Sequence, residues 1–132
     1  MLIVDAANVV GSRPDGWWRD RPGAAARLVE RVTRAVDTGA LEEPVTIVLE
    51  GSARSGAPTT TGPVCVVHAP ASGDDAVVKL VRAHGGTVVT ADRALRERVR
   101  TAGGTSVGPS WLLERLPDPP GTTRTTERGP QT

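Results

Sequence analysis

The chain has 132 residues and a formal net charge of +1, the size of one ordinary domain with no bulk pull toward nucleic acid or membrane. All but one of its 16 Lys and Arg residues are arginine, so a local phosphate-binding patch stays open, because Arg pairs bidentately with phosphate and stacks on bases. A single cysteine excludes an internal disulfide framework, and no apolar run of about 18 residues exists to span a bilayer. No leader pattern precedes the first apolar run, and the expected location is cytoplasmic.

Residues 2–4 (LIV) form a first short apolar run that meets Asp5 at once. Leu28, Val29, Val32 and Val36 then recur at helical spacing, with Pro22 near the start of the pattern and Gly39 just past its end. A second apolar run, VTIVL at 45–49, leads to Glu50. The stretch EGSARSGAPTTTGP that follows has no helical pattern and reads as a functional or mobile loop. The third run, VCVV at 64–67, places Cys65 among core residues, and a helix with Val77, Val78 and Val81 on one face follows and stops at a glycine pair. TVVT at 87–90 is the fourth run, and Leu95 and Val99 at i, i+4 mark the next helix. TSV at 105–107 suits an edge strand, and SWLLERL a short last helix with Trp111 in the core. From residue 117 on, almost nothing can be buried, and residues 117–132 read as a disordered tail after a domain of residues 1–116. With no Phe or Tyr, the core must be Val, Leu, Ile and Ala. Continuous apolar runs alternating with helices predict an α/β fold whose parallel sheet is covered on both faces.

The carboxylates fall in one place on this architecture. Asp5 ends the first strand and Glu50 follows the second. Asp74 and Asp75 open the helix after the third, and Asp92 opens the helix after the fourth. In an open parallel sheet ligands bind at the C-terminal strand ends, near the point where strand order reverses. Acids gathered there either rise in pKa or surround a cation, and a hard divalent ion prefers such oxygen ligands. Each acid also has a structural role open to it. Ser72 to Asp75 fits a capping box, Asp74 suits a helix dipole, Thr90 or Asp92 can cap a helix, and Glu50 can be solvated as it leaves its strand. Asp5 requires a partner at the end of a buried strand. Asn8 is a candidate, unless it bonds its own turn.

At these residues the sequence resembles the NYN domains, a branch of the PIN-like metal-dependent ribonucleases, and within them the YacP-like group. The likeness rests on Asp5 with Asn8 in LIVDAANVVG, Glu50 in VLEG, Asp74 in SGDD and Asp92 in VVTADRALRERV, in the family's order over residues 2–115. Glu50 stands where YacP-like proteins usually have Asp. The resemblance implies a PIN-like three-layer α/β sandwich with a central parallel sheet of about five strands in the order 3-2-1-4-5. It implies Mg²⁺ or Mn²⁺ held by Asp5, Asp74 and Asp92, directly or through water, with Glu50 or Asp75 assisting. It also implies endoribonuclease activity, with RNA as partner and in some members mRNA on the ribosome. In that scheme Asn8 orients Asp5 or touches the scissile phosphate, and Thr90 orients Asp92 or a metal-held water.

Substrate contacts are expected around the same edge. Trp17 and Trp18 can stack on bases with Arg13, Arg19 and Arg21 on phosphates, and the expectation is one Trp packed and one exposed. Arg93 and Arg96 suit phosphate contacts or an ordinary charged helix face, and Ser52 and Arg54 are further candidates. His68 and His84 have no spacing partner for a zinc site. Two other functions compete with the ribonuclease: an inactive PIN-like module that binds RNA or the ribosome, and a nucleotide phosphohydrolase. The position two after Asp5 is Ala7, where a haloacid-dehalogenase-type phosphatase needs a second Asp. The P-loop and the Rossmann glycine fingerprint are both missing. A homo-oligomer is compatible with the sequence.

Overall fold

The computed structural model describes residues 1–117; the expected tail beyond Pro117 lies outside the described residues. Pro117 itself is tied down, its carbonyl accepting from Arg31 Nε at 2.8 Å. The strands are β1 (Leu2–Asp5), β2 (Val45–Leu49), β3 (Val64–His68), β4 (Thr87–Val89) and β5 (Thr105–Val107). The helices are α1 (Ala6–Gly11), α2 (Arg21–Asp37), α3 (Gly73–His84), α4 (Arg93–Thr101) and α5 (Pro109–Leu113). All five strands are parallel and run in the order β3-β2-β1-β4-β5, the order that the resemblance implies.

Side chains alternate across the pleat, so successive residues of β1 feed opposite layers. Leu2 and Val4 pack with Val45, Ile47 and Leu49, with Leu28 and Val32 of α2, and with Leu112 of α5. Ile3 faces the other way, toward Val48, Val88, Val77 and Val81 of α3, and Leu95 and Val99 of α4. Burying each such side chain stabilises by about 1.5–3 kcal/mol, and both faces of β1 are dry. That is why its sequence is apolar without alternation. Cys65 is only half-buried, because β3 is an edge strand. Trp111 is also half-buried: it packs against the core from its edge, with the Arg115 guanidinium 4.0 Å above its ring. α3 stops where Gly85 and Gly86 take φ of 70° and 109°, a conformation other residues rarely adopt.

The chain leaves β1 toward β2 and β3, then crosses back by α3 to place β4 on the other side of β1. The strand order therefore reverses between β1 and β4. The C-terminal ends of those two strands flank the crevice where α/β folds bind ligands.

The connection after β2 departs from the sequence reading. Gly51–Gly56 forms a 3₁₀ helix where no helical pattern is visible. Its turns are closed by side chains bonding the backbone three residues back: Arg54 Nε to the Gly51 carbonyl at 3.0 Å and Ser55 Oγ to the Ser52 carbonyl at 3.0 Å. It needs no apolar period, since it packs on α2 through backbone. A Cβ on Gly56 would collide with the Pro22 carbonyl, so only glycine permits this approach. Gly56→Ala is expected to destabilise the protein by about 1–3 kcal/mol in a urea titration, the usual cost of overpacking; an unchanged midpoint would show that the 3₁₀ helix does not seat against α2 this closely.

Candidate active site

β1 ends in a buried carboxylate. Asp5 is 6% exposed and its Oδ2 accepts a hydrogen bond from Thr90 Oγ1 at 3.0 Å. Thr90, fully buried one residue past β4, also accepts from the Asp92 backbone amide at 3.1 Å. Asp92 in turn caps α4, its Oδ1 accepting from Leu95 N at 3.0 Å. Asn8 does not orient Asp5 through its side chain, as the sequence suggested. α1 begins directly after Asp5, which turns the Asn8 carboxamide toward β4, and Asn8 Oδ1 accepts from Ala91 N at 2.7 Å. Two side-chain bonds thus fasten β1 and α1 to the segment that leads from β4 into α4.

On the other flank Glu50 reaches α3. Its Oε1 accepts from Gly73 N, the first residue of α3, at 2.9 Å. A Cβ at position 73 would collide with that oxygen, so Gly73 is required by the contact. Asp74 lies half-buried in the first turn of α3. Asp75 points elsewhere: its carboxylate pairs with Arg98 at 2.9 Å on an exposed surface, and its amide is capped by Ser72. Asp75 therefore gives its amide to the Ser72 cap and its carboxylate to a surface ion pair.

The electrostatics join four of these acids. Desolvation by burial pushes the Asp5 carboxyl from 3.8 up to about 6; the Thr90 hydrogen bond and the Asn8 backbone amide hold it down, while the charges of Asp74 and Glu50 raise it further. Asp74 is also raised, by burial first and then by Asp92, with Arg98 lowering it and Asp75 adding to it. Asp5, Glu50, Asp74 and Asp92 are thus electrically linked across the reversal point, with Arg98 and Asp75 also acting on Asp74.

Whether these residues suit a divalent ion is a question of donors and distances. The donors are all hard oxygens, and at Asp5, Glu50 and Asp92 one oxygen is engaged by protein. Among the described residues no group of three or more His, Cys, Asp or Glu side chains stands together as a metal cage. Mg²⁺ does not require one, since it is usually held by one or two carboxylates and keeps several waters. The donor chemistry, hard carboxylate oxygens alone, is compatible with a hydrated hard cation.

The remaining candidates spread over the rim. Trp17 is half-buried against Gly11, with Arg21 over its ring at 5.0 Å, whereas Trp18 is 53% exposed with Arg19 over its ring at 5.6 Å. The two indoles meet edge to face at 6.2 Å. Arg93 is exposed at the start of α4; Arg96 is drawn instead to β5, its Nε donating to Ser106 Oγ at 3.0 Å. Arg13 sits on the α1–α2 side with Asp15, Arg27 and Arg31, away from the acids. Arg54 Nη1 reaches the Ala69 carbonyl at 3.5 Å, so it belongs to the scaffold of the 3₁₀ helix. His68 Nε2 bonds the Ala57 carbonyl at 2.7 Å, a structural contact. Sequence reasoning missed Gly73, whose signal was its place directly before Asp74, and Arg98, which meets Asp75 from the neighbouring helix.

Sheet order, layering and the crevice at the β1/β4 ends define an α/β protein of the PIN-like fold. Two solved structures share it: Rae1 (YacP) from Bacillus subtilis, 19% identical over 99% of this chain and 77% of that one with a TM-score of 0.68, and a tryptophan-to-leucine mutant of the same protein, 18% identical over 86% and 72% with a TM-score of 0.65. The name YacP is that of the group whose motifs the sequence resembles. No protein-family model and no curated protein matches the chain.

The raised Asp5 sets a pH dependence with a definite sign. The unfolded carboxyl ionises near 3.8 and the folded one near 6, so the folded state holds the extra proton between those values and stability from this group falls as pH rises through that window. Above it the deficit is about 3 kcal/mol, at 1.36 kcal/mol per pKa unit. Asp5→Asn, which keeps an acceptor for Thr90, is expected to gain on wild type from pH 4 to pH 7 in paired denaturant titrations; a difference independent of pH would contradict the account.

Proposed function

We propose that the chain is a metal-dependent endoribonuclease that hydrolyses RNA phosphodiester bonds at the C-terminal edge of β1 and β4. The observation that carries this reading is the buried Asp5 carboxylate, electrically coupled to Asp74 and Glu50, to which no cationic side chain is bonded among the described residues. A protein keeps such a group at the ligand crevice, at a cost in stability, when a cation completes it. The resemblance of the four acidic motifs to the NYN domains gives the substrate class, RNA, and the metal, Mg²⁺ or Mn²⁺.

In this mechanism Asp5, Asp74 and Asp92 would hold the ion, directly or through water, with Glu50 assisting. When bound, the ion supplies Lewis-acid polarisation of the phosphate and acidifies water for attack in line with the leaving oxygen. The chain's own residues do the rest. Thr90 fixes the rotamer of Asp5, so the carboxylate meets its ligand without reorganising. Asn8 fixes the Ala91 backbone, and with it the start of α4. Arg93 offers a guanidinium to a phosphate that flanks the cleaved bond, and the exposed Trp18 offers a stacking surface to a base.

RNA binding without cleavage is the second reading. One observation favours it: Glu50 and Asp92 each give an oxygen to a helix amide, and among the described residues no three-carboxylate cage is assembled. A fluorescent single-stranded RNA separates the two. Cleavage is expected with Mn²⁺, with none in EDTA, and Asp5→Asn is expected to lower the rate at least about a hundredfold, the upper end of what even second-shell metal partners cost. Asp75→Asn is expected to stay within about fivefold, since an exposed ion pair contributes little. Cutting that persists in EDTA, or folded protein that binds RNA and never cuts it, would contradict the nuclease.

A further inference from the structure

Beside the acidic edge, on the face covered by α1 and α2, lies a small pocket that no part of the mechanism uses. It is lined by Ala6, Ala7 and Val10 of α1, Ala25 of α2, Trp17 and residues 51–53 of the 3₁₀ helix. Glu50 and Arg21 also line it. The Glu50 carboxylate turns away to Gly73, so the pocket interior is mainly hydrocarbon and indole.

We infer that this pocket receives a nucleobase from the RNA strand bound at the acidic edge, an inference that rests on the reading of that edge as an RNA site. Three features select a base over other apolar ligands. Small alanine side chains beside an indole leave room for a flat ring against Trp17. Arg21 lies over the Trp17 ring and Arg19 over the Trp18 ring, so cations stand where the phosphates on either side of a base would run. Asp5 directly precedes Ala6, and Glu50 directly precedes Gly51, so the pocket opens one residue from the acids and a base in it belongs to a nucleotide close to the cleaved bond.

The pocket can be filled without touching the acids. Ala7 is exposed on α1, so Ala7→Leu occupies the slot at little cost to folding. Binding of a pentaribonucleotide, and of the same pentamer without bases, is measured by fluorescence anisotropy in EDTA. Wild type is expected to bind the base-bearing pentamer about tenfold more tightly than the abasic one, and Ala7→Leu to lose most of that difference. Trp17→Leu is expected to lose it too, which keeps the test open if Ala7→Leu folds poorly. Equal affinity of wild type for both pentamers, or an undiminished difference in both variants, would overturn the inference. A protein that shows the base effect yet cuts no RNA overturns the nuclease reading alone. One that cuts RNA while ignoring the bases overturns the pocket alone.

Discussion

One hydroxyl group organises the functional edge. Thr90 Oγ1 accepts the Asp92 amide and donates to Asp5, and it is fully buried as it does so. A hydroxyl has a single proton and two lone pairs; the ionised carboxylate can only accept, so the proton goes to Asp5 while a lone pair takes the Asp92 N–H. The bond therefore sets the rotamer of Asp5, ties the central strand to the start of α4, and fixes where Asp92 begins its helix. The Asn8 bond to Ala91 runs parallel to it and spans the same gap. Without these two contacts the ends of β1 and β4 would be joined only by ladder hydrogen bonds that stop before the crevice.

The same arrangement sets a cost. Burial raises Asp5, and Thr90 and the Asn8 amide offset only part of the rise. Glu50 and Asp92 soften the acidic edge by accepting helix amides, so their charge also serves α3 and α4. These caps explain how four acids can stand near one another in a stable fold. Each has a local structural role, and the shared field that remains is directed at the crevice. Asp75 shows the contrast: with Arg98 as partner on an exposed surface, its charge is answered outside the crevice.

Much of this was legible in the sequence. Unbroken apolar runs announced strands dry on both faces, and acids at successive strand ends announced the crevice. The contacts that decide roles were not legible, because they join distant positions. Asn8 reaches Ala91, 83 residues on, and Glu50 reaches Gly73, 23 residues on. The 3₁₀ helix at Gly51–Gly56 left no period to read, since side-chain-to-backbone bonds hold it. Trp111 looked like a core residue by composition, yet α5 leaves it half-buried under Arg115.

The account depends on Asp5 being a carboxylate held for a cation. Its pKa, followed by carboxyl-detected NMR with and without Mg²⁺, tests that directly. The account predicts a midpoint of about 6 without the ion, falling below the ordinary carboxylate range when Mg²⁺ is added. A midpoint near 3.8 without the ion, or one that Mg²⁺ leaves in place, would contradict it.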